Sequence, residues 1–178
     1  MKIFHVTEVL SVYNDFSGIP DHVLHDAATR GTRVHKLAEA YANGLFVGMP
    51  DDQKVVGHFL SFQKWFDQYV KEVLLVERQL TDDVFGFCGR LDFGFELTDG
   101  RKVICDLKTP VVESPTWRAQ TAAYLYLANN QTPHRFDGTM ALQTRADGKA
   151  ARGLVYEYQA DDLAAFMSAL SAYRYFKG

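Results

Sequence analysis

Two short segments contain residue types that could do chemistry together. Residues 89–92 read GRLD and residues 106–109 read DLKT. If the segments pair, they bring the carboxylates of Asp92 and Asp106 next to the amine of Lys108. Carboxylate oxygens are the ligands that a hard divalent cation such as Mg2+ prefers. Whether such a site forms depends on the elements that position these three side chains.

The Thr-Asp-Gly turn at residues 98–100 sets how the two segments pair. A three-residue hairpin loop favours glycine at its last, left-handed position, and this turn ends on glycine. Leu97 then lies opposite Arg101, and counting outward places Asp92 directly opposite Asp106. A two-residue loop would put the two carboxylates on opposite faces of the hairpin.

Alternation of residue types supports the same register. The face predicted to be core carries Leu91, Phe93, Phe95, Leu97, Val103, Cys105 and Leu107. The other face carries Arg90, Asp92, Gly94, Glu96, Lys102, Ile104, Asp106 and Lys108. Like charges directly opposite each other, with Cβ atoms about 4.5–5.5 Å apart, are destabilising. Basic neighbours could neutralise the two carboxylates, solvent could screen them, or a divalent cation could bind them, and the spacing leaves all three open.

Length and composition are those of an ordinary globular protein, with one domain expected over residues 1–178. Hydrophobic residues make up 47% of the chain and charged residues 23%. No stretch approaches the roughly 18 apolar residues of a membrane helix, so we expect a cytoplasmic protein without a membrane partner. Cys88 and Cys105 are predicted to lie on opposite faces of the hairpin, which argues against a disulfide.

Charge is unevenly distributed along the chain. The net charge of −3 argues against general affinity for nucleic acid. Residues 101–152, however, hold eight Lys or Arg against four Asp or Glu, so this part is +4 and the remainder is −7. The basic part can form a local basic surface, or its charges are simply solvated.

Periodicity and capping residues predict the order helix, helix, three strands, helix, two strands, helix. In sequence these are a helix over 27–43, a helix from 50–52 to about 70, a strand over 73–80, the two hairpin strands, a helix from 114 to about 129, strands at about 135–144 and 152–159, and a helix from 161.

Three residues outside the hairpin are ambiguous when each is considered alone. His35 on the first helix is typical of a core or surface histidine. Gly31, one turn earlier, costs that helix about 1 kcal/mol relative to alanine, which indicates close approach of another element. Glu77 interrupts an apolar strand and needs a partner there, such as Arg78 or Arg90.

Taken together and in chain order, the motifs resemble the PD-(D/E)XK nuclease superfamily in its RecB-like form. In that family a helix carries G-x-x-x-H, the central hairpin carries G-x-x-D and then D/E-x-K, and the following helix carries Q-x-x-x-Y. The matching residues here are 31–35, 89–92, 106–108 and 120–124. The opening VTEVLS at residues 6–11 and the closing turn at 147–149 resemble compact phage-encoded members.

The resemblance implies a fold and a metal site. The fold is α/β, with a central mixed β-sheet flanked by helices and a restriction-endonuclease-like αβββαβ core. His35, Asp92, Asp106 and the backbone carbonyl of Leu107 are implied to bind the catalytic Mg2+, for which Mn2+ would substitute. Lys108 is implied to orient or deprotonate the attacking water.

Further roles are implied less directly, and two features depart from the family pattern. Glu77 stands where some members have an extra acidic residue, and Gln120 and Tyr124 are implied to position the DNA strand or the lysine. The four cysteines of the iron–sulfur branch are missing, so we expect no iron–sulfur cluster. Asp106 replaces the commoner glutamate, which shortens that ligand by one methylene.

The resulting functional hypothesis is a metal-dependent DNA exonuclease that processes ends in recombination, repair or phage replication. Its expected partners are DNA and either further copies of the chain or a recombination or single-strand-annealing protein, in a bacterial or phage-infected cytoplasm. Alternatives are an endonuclease, a catalytically silent DNA-binding or assembly module of the same fold, and a hydrolase of small phosphate esters. Basic residues expected to contact phosphates include Lys102, Arg118, Arg145 and Lys149.

Overall fold

Six strands form one mixed sheet in the computed structural model of the chain, which describes residues 2–157 and 159–177. The strands are β1 (Phe4–His5), β2 (Val70–Asp82), β3 (Phe87–Leu97), β4 (Lys102–Lys108), β5 (Gly138–Gln143) and β6 (Arg152–Tyr156). The helices are α1 (Val6–Ser11), α2 (Asp21–Ala42), α3 (Gln53–Tyr69), α4 (Thr116–Gln131) and α5 (Gln159–Lys177). The run from α3 to β5 has the predicted αβββαβ order, and the predicted α/β class is confirmed.

The predicted hairpin register is confirmed. Phe93 pairs with Cys105 and Phe95 pairs with Val103, while Leu97 N–H donates to the carbonyl of Arg101 at 2.8 Å. These pairings are the ones that a three-residue turn produces. The last residue of that turn, Gly100, is left-handed with φ +89°. Beyond β4 the chain crosses over through α4, so β4 and β5 are parallel, and β5 and β6 then form the second predicted hairpin.

Local sequence explains where α3 begins, and it misplaces the start of α2. Asp52 caps α3, because its Oδ1 accepts hydrogen bonds from the N–H groups of Lys54 and Val55 at 2.9 and 3.4 Å. Helix α2 begins at Asp21, six residues before its predicted start. Pro20 stands at the N-cap, immediately before the first turn, where no helical hydrogen bond needs its missing N–H.

Helices cover both faces of the sheet, so the face that we predicted to be polar is also largely buried. Helices α2 and α3 pack over the cluster that contains Phe93 and Phe95. Helices α1, α4 and α5 pack over the other cluster, which contains Ile104. Leu91 also packs in this second cluster, although strict alternation predicts that it accompanies Phe93. The alternation changes phase between these two residues, at the point where the hairpin ladder stops.

No helix among the described residues is both long enough and apolar enough to cross a membrane. Cys88 and Cys105 are both buried and free, as predicted.

Candidate metal centre

One stretch of β3 has strand neighbours along one edge only. Strand β2 follows the whole of β3, so β1 and β4 share its opposite edge. On that edge β1 pairs with residues 87–88 and β4 pairs with residues 93–96. The GRLD segment at residues 89–92 lies between these two partners, and among the described residues no strand covers it. Side chains can therefore approach the backbone there.

The carboxylate of Asp92 accepts a hydrogen bond from a backbone N–H that the interrupted β3–β4 ladder leaves without a strand partner. By the hairpin register, Leu107 N–H would bond to the carbonyl of Leu91 if the ladder continued. Instead it donates to Asp92 Oδ2 at 2.7 Å. The strands have separated, and a carboxylate occupies the position of a backbone acceptor.

His35 on α2 reaches the same point from the neighbouring helix. Its Nδ1 lies 3.3 Å from Asp92 Oδ1, and its Nε2 lies 3.0 Å from the carbonyl oxygen of Leu107. The structure thus brings together three of the predicted metal ligands. His35 also has an adjacent acidic neighbour that we had assigned only a secondary role: one ligand atom from each of His35, Glu77 and Asp92 lies within 4.8 Å of the others.

Glu77, the third residue of this group, has a left-handed backbone, with φ 46°. By the register of β2, in which Val76 pairs with Phe93 and Arg78 with Leu91, Glu77 stands opposite Asp92. A left-handed conformation is costly for a non-glycine residue and is concentrated at functional sites. The carboxylate forms an ion pair with Arg90 Nε at 2.6 Å, which confirms Arg90 as its partner.

Asp106 lies beside this group and is engaged with amine and amide donors. Its Oδ2 is 2.5 Å from Lys108 Nζ, and its Oδ1 accepts from Gln120 Nε2 at 3.0 Å. Lys108 Nζ also donates to Gln120 Oε1 at 2.9 Å and lies 5.6 Å from the ring centre of Trp117. Asp106, Lys108 and Gln120 thus form a closed network that holds the lysine. Asp106 is not one of the three residues, His35, Glu77 and Asp92, whose ligand atoms converge.

Tyr124 contacts this network through Gln120. It is 3% exposed, and its hydroxyl accepts from Gln120 Nε2 at 3.2 Å. Of the two roles implied for Tyr124, this contact matches the positioning of the lysine, through Gln120. A Cβ on Gly89 would lie only 2.5 Å from Tyr124 Cε1. The glycine of GRLD is therefore required by the tyrosine of the following helix.

Gly31 is not explained by close packing in the same way. A Cβ there would lie 3.6 Å from Thr109 Oγ1, which is an ordinary contact. The predicted close approach of another element is thus looser than expected. Gly31 instead lines both of the clefts that meet at His35 and Asp92. The larger of these has a volume of about 660 Å3, and Asp106, Lys108 and Gln120 all line it.

The charges in the site are strongly coupled. Burial lowers the pKa of His35, but the charge and hydrogen bond of Asp92 and the charge of Asp106 outweigh it and raise that pKa to about 9. Burial disfavours ionisation of Asp92, yet His35 and the Leu107 N–H hold its pKa below the ordinary value. Burial, with added repulsion from Asp92, raises the pKa of Glu77 and of Asp106.

The repulsion that the register predicted is therefore present, and each carboxylate has its own basic partner. His35 faces Asp92, Arg90 faces Glu77, and Lys108 faces Asp106. Sequence reasoning anticipated the pairing of Arg90 with Glu77, and it missed the contact of Trp117 with Lys108. The one available signal was the seven-residue spacing of Trp117 and Tyr124, which places Trp117 on the helix face that also carries Gln120.

The donor set at His35, Glu77 and Asp92 fits a divalent cation. Two carboxylates, an imidazole and the nearby Leu107 carbonyl combine oxygen ligands suited to Mg2+ or Mn2+ with one nitrogen ligand. The left-handed Glu77 and the uncovered edge of β3 are local departures from regular structure that bring these donors together.

Comparisons with known proteins give no family for the chain. No family model matches it, and no curated protein matches it. Chains of solved structures do match, among them the crystal structure of SSO0001, at 15% identity and a TM-score of 0.38. That match covers 58% of this chain and 51% of SSO0001, so the chain spans about half the length of its structural neighbour. The resemblance to the PD-(D/E)XK superfamily stays a prediction.

Proposed function

We propose that this chain is a Mg2+-dependent deoxyribonuclease of the PD-(D/E)XK kind, in its RecB-like form. The observation that carries the proposal is the convergence of His35, Glu77 and Asp92 within 4.8 Å at the uncovered edge of β3. Beside them, Asp106 and Gln120 hold an amine that is only partly exposed. Cation ligands next to a fixed lysine suit hydrolysis of a phosphodiester.

His35, Glu77, Asp92 and the Leu107 carbonyl would hold the cation, and Asp106 is positioned at its border. When bound, the ion supplies Lewis-acid polarisation of a phosphoryl oxygen. Lys108 hydrogen-bonds the attacking water and orients it toward phosphorus. Water oxygen bonds to phosphorus and loses a proton to solvent, while the bond to the leaving strand oxygen breaks and that oxygen takes up a proton.

Gln120 and Tyr124 act as positioning residues in this scheme. Gln120 contacts both Lys108 and Asp106, so it fixes the lysine against the carboxylate. Tyr124 fixes Gln120 in turn. Such support matters because displacement of a catalytic group by about 1 Å can cost about 100-fold in rate.

The finer parts of the proposal come from the sequence resemblance. They are exonucleolytic action on DNA ends in recombination, repair or phage replication, a cytoplasmic location, and association with further copies or with an annealing partner. Mn2+ substitutes for Mg2+, because both are six-coordinate ions that accept carboxylate oxygens.

The test is hydrolysis of linear double-stranded, linear single-stranded and closed circular DNA with Mg2+, Mn2+ or EDTA. We expect Lys108→Ala and Asp106→Ala to lose at least about 100-fold in rate, because each removes a group that holds the attacking water in position. Lys177→Ala, which removes an exposed lysine at the end of α5, should cleave like the wild type. Digestion of linear substrates alone indicates an exonuclease, and digestion of circles indicates an endonuclease.

Three results would contradict the proposal. One is unchanged cleavage by either purified active-site variant. Another is DNA binding without cleavage in either metal, which would make the chain a catalytically silent module. The third is hydrolysis of chromogenic phosphate esters without hydrolysis of any DNA.

A further inference from the structure

A second cleft adjoins the cleft that contains Asp106 and Lys108, and basic residues predominate in its wall. It has a volume of about 650 Å3, and its wall contains four basic residues, Arg30, Lys54, Arg145 and Arg152. Among the residues that the structure describes, Asp147 is the only acidic one that lines it. The chain as a whole has a net charge of −3, so this concentration of positive charge is local.

Most of this positive charge has no carboxylate partner. Arg145 forms an ion pair with Asp147 at 2.9 Å. Within residues 2–157 and 159–177, Arg30, Lys54 and Arg152 form no ion pair. Arg30 Nε is moreover buried and has no hydrogen-bond acceptor among those residues. Arg30, Lys54 and Arg152 therefore carry positive charge that the described residues do not neutralise.

The two clefts are continuous. Arg30, Thr109 and Pro110 line both of them. Thr109 and Pro110 directly follow Lys108 in the chain, so one wall of the basic cleft begins at the residue after that lysine. An extended ligand that occupies both clefts passes directly over this boundary.

Hydrogen bonds join the wall of the basic cleft to the strand that carries Lys108. His58 Nδ1 lies 2.8 Å from Thr144 Oγ1, and that hydroxyl donates to the carbonyl of Lys108 at 3.1 Å. On the opposite side, a Cβ on Gly57 would lie 1.9 Å from the carbonyl oxygen of Ala146. Helix α3 therefore packs directly against the connection between β5 and β6. A group bound in the basic cleft is held at a fixed position relative to Lys108.

The basic residues expected from the sequence to contact phosphates are mostly elsewhere. Each of them already has an acidic partner: Lys102 pairs with Glu96, Arg118 with Asp162, and both Arg145 and Lys149 with Asp147. Only Arg145 lines the basic cleft. The unpaired cations, Arg30, Lys54 and Arg152, come from α2, α3 and β6, and only the fold brings them together.

We propose that the basic cleft binds a phosphate group of a nucleic-acid strand, and that the scissile bond of the same strand lies at the candidate metal centre. Guanidinium groups donate paired hydrogen bonds that match phosphate oxygens, and Arg30 and Arg152 supply them. The identity of the polymer rests on the proposed nuclease function. The phosphate is either an internal diester or a terminal monoester, since both present the same oxygens.

The test is binding of fluorescent oligonucleotides in EDTA, which is independent of hydrolysis. We compare the wild type, the double variant Arg30→Gln/Arg152→Gln and Arg135→Gln, which removes an exposed arginine from the connection between α4 and β5. The double variant should bind at least about tenfold more weakly. Its plot of log affinity against log salt should be shallower by about 1.4, because each lost contact with a single strand removes about 0.7. Arg135→Gln should bind like the wild type.

The source of the phosphate is separated by oligonucleotides with a 5′-phosphate, a 3′-phosphate or neither, and by a circular single strand. If the wild type prefers one phosphorylated end and the double variant loses that preference, the site takes a terminal monoester. If the double variant weakens binding of every substrate equally, the site takes internal diesters. Both outcomes support the phosphate site.

The proposal is overturned if the double variant binds as tightly as Arg135→Gln, or if the wild type binds no oligonucleotide. It is also overturned if polyglutamate competes as well as unlabelled DNA, which would indicate an acidic protein as the partner. Failure of the nuclease function appears differently, as absence of Mg2+-dependent hydrolysis in a wild type that still binds DNA through this cleft.

Discussion

The two ends of the β3–β4 hairpin use the same two strands in opposite ways. At the turn end, backbone pairing is continuous from Phe93 to the turn, and the rings of Phe93 and Phe95 stack 5.1 Å apart in the core. At the open end the ladder stops, a carboxylate of Asp92 takes the backbone N–H of Leu107, and Glu77 is left-handed. Regular pairing and apolar packing occupy one end, and charged groups occupy the other.

This difference shows how the sheet makes room for chemistry. A continuous ladder would satisfy every backbone group and leave no donor or acceptor for side chains. Where β4 separates from β3, the N–H and the carbonyl of Leu107 become contacts for Asp92 and His35. The buried carboxylates of the open end repel one another, and the basic partner of each reduces that repulsion.

The largest expected effect of a change in the hairpin is on stability, at the turn end. Phe93 is fully buried between Phe62 and Phe95. Phe93→Ala should lower the free energy of unfolding by about 3–5 kcal/mol, because it leaves a cavity among rigid rings. The measurement is urea unfolding followed by circular dichroism. As a control, Phe176→Ala, at a side chain that is 77% exposed, should change stability by less than about 0.5 kcal/mol.

A loss below about 1 kcal/mol for Phe93→Ala would mean that the turn end is not the stabilising half of the hairpin. The apolar packing of the turn end would then not account for the stability of the hairpin.

A smaller effect is expected at the open end from Gly89→Ala. The new methyl would lie 2.5 Å from the Tyr124 ring, so the ring must move, at a cost of about 1–3 kcal/mol. Because Tyr124 holds Gln120, DNA hydrolysis should fall as well. Thermal unfolding and hydrolysis rates are measured in parallel with Gly18→Ala, at a glycine with no atom near the added methyl. Equal stability of the two variants would show that the contact between β3 and α4 is not tight.

Short-range signals predicted the turn end well. The glycine at the end of the Thr-Asp-Gly turn determined the register, because only a left-handed last residue closes a three-residue loop on these strands. The cap at Asp52 likewise marked the start of α3. Both features depend on residues within a few positions of each other, so the sequence contains what determines them.

The open end could be predicted only in part, because its geometry depends on distant contacts. Residue types and order identified His35, Asp92 and Lys108 as candidates. Alternation failed at Leu91, where the strand changes phase, and no local pattern shows that Glu77 is left-handed. The requirement for Gly89 comes from a tyrosine 35 positions later in the chain. The basic cleft depends on side chains of three separate elements that meet only in the folded chain.

The most direct test of the account compares two aspartates of the same hairpin in Mn2+ binding, followed by electron paramagnetic resonance. Asp92 lies at the open end, and Asp99 lies in the turn, where it accepts hydrogen bonds from Arg101. Asp92→Asn, checked for its fold by circular dichroism, should weaken Mn2+ binding at least about tenfold, because loss even of a group that only supports a ligand costs about 10–100-fold. Asp99→Asn should bind Mn2+ like the wild type. Equal Mn2+ affinity of Asp92→Asn and the wild type would contradict the assignment of a metal centre to the open end.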